Sequence, residues 1–271
     1  MCFILCSGRD YFTVAPPAAF VAALNYAQQK MLIFATMLVA TSMENLLLLH
    51  GALGSATHFD NLKQDLEPHF QVYTLDFTGH GGRALPQEPF SMDMFAADIL
   101  YLLEKEQLAA IHIFGYSMGG YAALYFALRH PERVRRIFSL ATKFAWSPEA
   151  AEKETKLLNP KKVAEKVPHF ATALARCHAP QNWQQIMHKT ADMMHYLGQQ
   201  PLLTSEALAT LHLPIQVTVG DRDNMVSLQE SIYAYQQLPE ARLLVLPDTR
   251  HPLEAVSVQR LAYEIKQFLL P

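Results

Sequence analysis

The residues best suited to chemistry in this chain of 271 are five in a row, Gly115-Tyr116-Ser117-Met118-Gly119. They form a G-x-S-x-G spacing, which a chain with this many glycines and serines matches by chance about 0.02 times. An apolar run from Ile111 to Phe114 precedes the motif, and a helix-period segment from Met118 to His130 follows it. A strand turning sharply into a helix strains the serine backbone, and a Cβ two residues to either side collides with the turn. Glycine fits there. The Ser117 hydroxyl is then held out beside a helix N-terminus, where unpaired N–H groups and the helix dipole favour developing negative charge.

A serine hydroxyl attacks a carbonyl slowly until a base removes its proton, so a histidine is needed on a later loop. Of the twelve histidines, His251 is the best placed, since it lies just past the apolar run Arg242 to Leu246 and ahead of a C-terminal helical segment. His50, His80, His112 and His130 read as turn or core residues, and those between Phe144 and Ser205 as surface or pocket residues. The base in turn needs an acid to fix its tautomer. Gly220-Asp221-Arg222-Asp223 follows the run Ile215 to Val219 and offers two carboxylates, of which one is expected to face the histidine. After Leu140 there is no acid before Glu149, so the Asp221/Asp223 loop is the acid's expected place. In His50-Gly51-Ala52-Leu53-Gly54, the Ala52 N–H can join the Met118 N–H as a two-donor oxyanion hole. Asp76-Phe77-Thr78-Gly79-His80-Gly81-Gly82-Arg83 reads as a structural loop.

Positioning these groups requires a scaffold of alternating strands and helices, and the sequence has that rhythm. Strands are expected at Leu46 to Leu49, Val72 to Leu75, Ile111 to Phe114, Arg136 to Leu140, Ile215 to Val219 and Arg242 to Leu246, all buried on both faces. Ser91 to Gln107 places Met94, Phe95, Ile99, Leu102 and Leu103 at helical spacing behind a serine cap. The rhythm breaks between Phe144 and Ser205, a helical, proline-bearing insertion without a strand. There Trp146, Phe170, Trp183, Met187, Met193, Met194 and Tyr196 are candidates for an apolar acyl pocket. Arg176 and Lys143, the candidate anchors for a substrate carboxylate, read as solvated charges.

Composition narrows the function classes. Apolar residues make up 51% of the chain and charged residues 17%, which excludes a disordered chain. The formal charge of −3 lacks the basic excess that phosphate backbones demand, so no nucleic-acid partner is expected. Cys2, Cys6 and Cys177 are odd in number and show no metal-type pairing, which fits a reducing cytoplasm. No metal or organic cofactor is expected, as no H-E-x-x-H or similar spacing occurs. Residues 1–42 read as an extension of uncertain structure. Its apolar run, Met31 to Ala40, is too short to span a bilayer, and stable membrane insertion is not expected.

Taken together, the His-Gly loop, the D-x-x-G-H-G loop, the G-x-S-x-G elbow, the G-x-x-D loop and the late histidine resemble the α/β-hydrolase superfamily from about Met43 onward. The resemblance implies a mostly parallel sheet with flanking helices. Residues 43–143 and 206–271 would form the core, with 144–205 as a helical cap. It also implies that Asp223, three residues after Gly220, is the acid. The family's usual opening hairpin has no glycine-rich turn here, which implies a sheet shortened by two strands.

The elbow and Tyr121 are similar to those of small carboxylesterases and of MenH-type synthases, which use the same triad to abstract a proton and eliminate pyruvate. Those synthases carry an arginine after the double glycine, where this chain has Tyr121. The leading expectation is a carboxylesterase-type serine hydrolase that cleaves a small or medium acyl ester or thioester. The alternatives are a MenH-like lyase and a non-catalytic ligand-binding homologue.

Overall fold

The computed structural model describes Lys30 and residues 43–270. The readings made of residues 1–42, including the missing hairpin, lie outside the described residues apart from Lys30. Residues 44–271 form one compact unit.

Six parallel strands make its sheet: β1 (Glu44–Leu49), β2 (Phe70–Leu75), β3 (Ile111–Tyr116), β4 (Val134–Leu140), β5 (Ile215–Gly220) and β6 (Ala241–Leu246). Their order is β2-β1-β3-β4-β5-β6, and every pairing is parallel. Alternation along β1 divides the core: Leu47 and Leu49 face one side of the sheet, Leu46 and Leu48 the other. The Leu47 side is covered by α2 (Met92–Lys105), α3 (Met118–Arg129) and α9 (Leu228–Gln237). The Leu46 side is covered by α1 (Asp60–Leu66) and α10 (Val258–Leu269).

All six expected strands are present, each extended by one or two residues at one or both ends. One expectation fails: β2 and β6 are not buried on both faces. Among the described residues they are the edges of the sheet, so helices cover them incompletely.

Between β4 and β5 the chain leaves the sheet for α4 (Pro148–Thr155), α5 (Pro160–Lys166), α6 (Pro168–His178), α7 (Trp183–Gln199) and α8 (Ser205–Ala209). The prolines here start helices rather than break them. Pro148, Pro160 and Pro168 each occupy a first-turn position, where the missing N–H is not needed. The loops after β1, β2, β3, β5 and β6 all emerge at the carboxyl ends of parallel strands. The sheet order reverses between β1 and β3, the place where open α/β sheets hold their ligands.

Candidate active site

Ser117 occupies the β3–α3 turn with φ 52° and ψ −114°, a left-handed φ that L-residues adopt at a cost. Backbone packing enforces the turn. A Cβ on Gly119 would lie 2.2 Å from the Leu49 carbonyl oxygen, and one on Gly115 would lie 2.5 Å from Gly120 Cα. The Ser117 N–H donates to the Leu140 carbonyl at 2.8 Å, and its own carbonyl accepts from the Gly120 and Tyr121 N–H groups.

His251 is brought to this turn by two loops that are hydrogen-bonded to each other. Asp221 N–H donates to Leu246 O and Arg222 N–H to Thr249 O, while Thr249 N–H donates to the Asp221 carboxylate at 3.2 Å. The loops pass so closely that a Cβ on Gly220 would lie 2.1 Å from the Thr249 oxygen. Tyr116 adds a restraint that sequence reasoning missed: its hydroxyl donates to the His251 carbonyl at 3.0 Å. A variable position of the elbow motif carries no sign of such a role.

Ser117 Oγ lies 3.3 Å from His251 Nε2, a long contact of the kind that tightens when substrate binds. His251 Nδ1 lies 2.8 Å from Asp223 Oδ2. The Asp223 side chain is 1% exposed, and its other oxygen accepts the Met225 and Val226 N–H groups, each at 2.8 Å. Burial pushes this carboxyl up, but the hydrogen bonds from His251, Val226 and Met225 and the histidine's charge outweigh it. The net result lies below the ordinary aspartate value. Of the two candidate acids, Asp223 meets the histidine and Asp221 braces the loop.

Ala52 and Met118 line the same cavity as Ser117 and His251. Among the described residues neither backbone N–H has an acceptor. The loop bearing Ala52 passes close to the elbow, since a Cβ on Gly51 would lie 3.3 Å from Ser117 Cβ. Beneath it, His50 is a structural residue, as expected. Its Nδ1 pairs with the Gly51 carbonyl at 2.8 Å and its Nε2 accepts the Phe77 N–H at 3.1 Å.

The D-x-x-G-H-G loop is likewise structural. Buried Asp98 accepts the Thr78 N–H and hydroxyl and pairs with Arg83 at 2.8 Å.

His178 corrects an expectation. It is neither a surface nor a pocket residue but fully buried. Its Nδ1 accepts the Gly81 N–H, and its Nε2 donates to the Leu53 carbonyl at 3.1 Å. Burial lowers its pKa, consistent with a neutral ring.

The cavity measures ≈ 50 Å³, room for about four waters. Trp146, Met193 and Met194 line it together with Met92, Leu197 and Met225. The other pocket candidates do not. Trp183 and Met187 pack into the core, and Phe170 and Tyr196 are largely exposed.

The two cation expectations diverge. Arg176 is exposed, whereas Lys143 lines the cavity and is not a solvated charge. Its Nζ lies 3.4 Å from Glu154 Oε1 and 3.8 Å from Glu230 Oε2. Tyr121 also lines the cavity, and its hydroxyl oxygen accepts the Leu202 and Leu203 N–H groups. Among the described residues no cluster of ligating side chains could hold a metal, and no helix is long and apolar enough to cross a membrane.

Known proteins share this arrangement of elements. A family model described as alpha/beta hydrolase fold matches residues 44–176. Lipase 3 of Moraxella sp. (strain TA144) is 23% identical over 83% of this chain and 77% of its own length. A pimeloyl-(acyl-carrier protein) methyl ester esterase of Neisseria meningitidis serogroup C is 27% identical over 78% of this chain and 87% of its own. The solved structure of a thermophilic esterase from Thermogutta terrifontis superposes with a TM-score of 0.67 at 22% identity, covering 84% of this chain and 90% of that one. With its six-stranded parallel sheet and strand-to-helix elbow, the chain has the α/β-hydrolase fold and is a hydrolase of that fold.

Proposed function

We propose that the protein is a carboxylesterase-type serine hydrolase of small acyl esters or thioesters. The observation that carries this reading is the unbroken relay from Ser117 Oγ through His251 to the buried Asp223 carboxylate, at 3.3 and 2.8 Å. His251 Nε2 takes the serine proton as Oγ attacks the carbonyl carbon. Asp223 holds the proton on Nδ1 and stabilises the imidazolium. The Ala52 and Met118 N–H groups receive the carbonyl oxygen as it becomes an oxyanion. His251 then returns the proton to the leaving alcohol or thiol. Water, activated in the same way, releases the acid from the serine.

In this reading residues 144–205 act as a cap, since Trp146, Glu154, Met193, Met194 and Leu197 share the cavity with Ser117. The cavity's small volume favours a short acyl group. The names of the lipase and esterase relatives favour ester chemistry. A MenH-like elimination is disfavoured, because its acidic substrate needs a free cation. Tyr121 stands where those enzymes carry arginine, and Lys143 already faces two carboxylates.

Replacement of Ser117 by alanine removes little packing. It is expected to preserve the fold while lowering turnover of p-nitrophenyl acetate by at least ~10³-fold. Retention of most activity by a folded S117A protein would remove the serine-nucleophile reading.

A further inference from the structure

Lys143 lines the cavity, yet the relay and the two oxyanion donors leave it without a role. It reaches that place through a strained bend. Ala141, the first residue beyond β4, has a φ of 54°, a left-handed value that L-residues adopt at a cost. Its N–H donates to the Thr218 carbonyl of β5 at 2.8 Å. The two residues that follow reach two loops of the site. The Thr142 hydroxyl donates to the Ser117 carbonyl at 3.4 Å, and Lys143 Nζ donates to the Met225 carbonyl at 3.1 Å.

That carbonyl belongs to the peptide unit whose N–H is Val226. The Val226 N–H donates to Asp223 Oδ1 at 2.8 Å, beside the Met225 N–H at the same distance. These bonds orient the carboxylate, so that Oδ2 meets His251 Nδ1 at 2.8 Å. Lys143 therefore grips one end of a peptide and Asp223 the other. A cation on the carbonyl fixes the plane of that peptide and polarises its N–H toward the carboxylate.

The lysine is itself held from two sides. Its Nζ lies 3.4 Å from Glu154 Oε1 on α4 and 3.8 Å from Glu230 Oε2 on α9, and the three side chains are 15%, 4% and 9% exposed. Glu230 Oε1 accepts the Phe144 and Ala145 N–H groups, next to Lys143 in the chain. Buried ions add little net stability over well-packed apolar side chains. What the cluster supplies is a fixed place for the ammonium.

We propose that Lys143 is a positioning residue for the acid of the relay: by holding the Met225–Val226 peptide it keeps Asp223 aimed at His251. The inference rests on the hydrolase reading given above. It differs from a substrate anchor, because the group that Lys143 acts on is Asp223 rather than the ester. Loss of the lysine then slows the chemical step and leaves ester binding nearly alone.

The experiment is a double-mutant cycle on p-nitrophenyl acetate, with enzyme in excess for the slow proteins. Removing the lysine alone would strand a buried carboxylate, so all four proteins carry Glu154→Gln: alone, with Lys143→Met, with Asp223→Asn, and with both. With Asp223 present, Lys143→Met is expected to lower kcat/KM by about tenfold, chiefly through kcat, with KM changed less than about threefold. With Asp223→Asn present, the same replacement is expected to cost less than about twofold, since the carboxylate it positions is gone. General damage to the fold lowers both pairs equally. If Lys143→Met does not fold in this background, Lys143→Gln takes its place in the cycle. Equal losses in the two pairs, no loss with Asp223 present, or a loss confined to KM would each overturn the positioning role and leave the hydrolase reading standing. Turnover that survives Ser117→Ala, or no turnover by the parent chain together with no labelling of Ser117 by a fluorophosphonate, would overturn both.

Discussion

Asp221 and Asp223 are separated by one residue and do different jobs, and burial and partners explain the division. Asp223 is buried against the histidine, and three hydrogen bonds stabilise its charge. Asp221 is more exposed and holds the Thr249 N–H. On the proposed mechanism, Asp223→Asn presents the histidine with an amide and favours the wrong tautomer, so turnover is expected to fall by up to ~10⁴-fold with the fold intact. Asp221→Asn keeps an oxygen that can accept from Thr249, and is expected to cost less than ~10-fold. Steady-state rates of both variants on one ester decide the matter, and a larger loss at Asp221 would reverse the assignment. The sequence alone left two carboxylates in this loop. The Gly220-to-Asp223 spacing known from the family pointed to one of them, while Asp221's bracing role depends on a loop 28 residues away and leaves no local trace.

At the scale of elements, the six strands were legible because buried parallel strands are short, continuous apolar runs, and the elbow because sterics demand glycine on both sides of Ser117. What could not be read is how the insertion meets the core. Periodicity marks Trp183 and Met187 as buried but does not say whether the sheet or the cavity buries them. Nor does it tell Glu154, the acid that reaches Lys143, from its neighbours Glu149 and Glu152. His178 shows the same limit, since it lies at the end of α6 and bonds residues 125 and 97 positions away. It connects the insertion to the loop after β1 through Leu53, whose φ of 58° is itself strained and whose neighbour Ala52 offers the proposed oxyanion donor. In His178→Ala the Leu53 carbonyl and Gly81 N–H lose their partners, at about 1–3 kcal/mol. The loop is then free to relax. We expect kcat on p-nitrophenyl acetate to fall about tenfold with KM changed less than threefold, because the oxyanion contact is made most strongly in the transition state. A lower melting temperature with unchanged kcat would mean that the link is structural only.

Across the whole molecule, the packing of the β1 and β2 loops against α2 and α6 depends on histidines that are buried without charge. His80 stacks among Phe90, Phe95, His50 and His178 at centroid distances of 5.1–5.9 Å. Its Nδ1 meets the Thr78 carbonyl, and its Nε2 has no partner among the described residues. Burial lowers its pKa from 6.5 to about 3, with His178 and Arg83 adding to the effect. His50 is lowered as well, by burial first and then by His80. A group whose folded pKa lies below its unfolded value binds its proton more readily when unfolded. Acid therefore favours unfolding. For His80 the contribution is complete above the unfolded value of 6.5 and drains away as the pH falls toward about 3. At about 1.4 kcal/mol per pH unit for one proton, His80 alone is expected to withdraw about 2 kcal/mol between pH 7 and pH 5. Phenylalanine fills the same aromatic slot without a titrating nitrogen. His80→Phe should therefore flatten the dependence of urea unfolding free energy on pH across this window by about that amount, whatever its effect on absolute stability at pH 7. Parallel pH profiles for the two proteins would show that His80 is already protonated, or solvated, in the folded state.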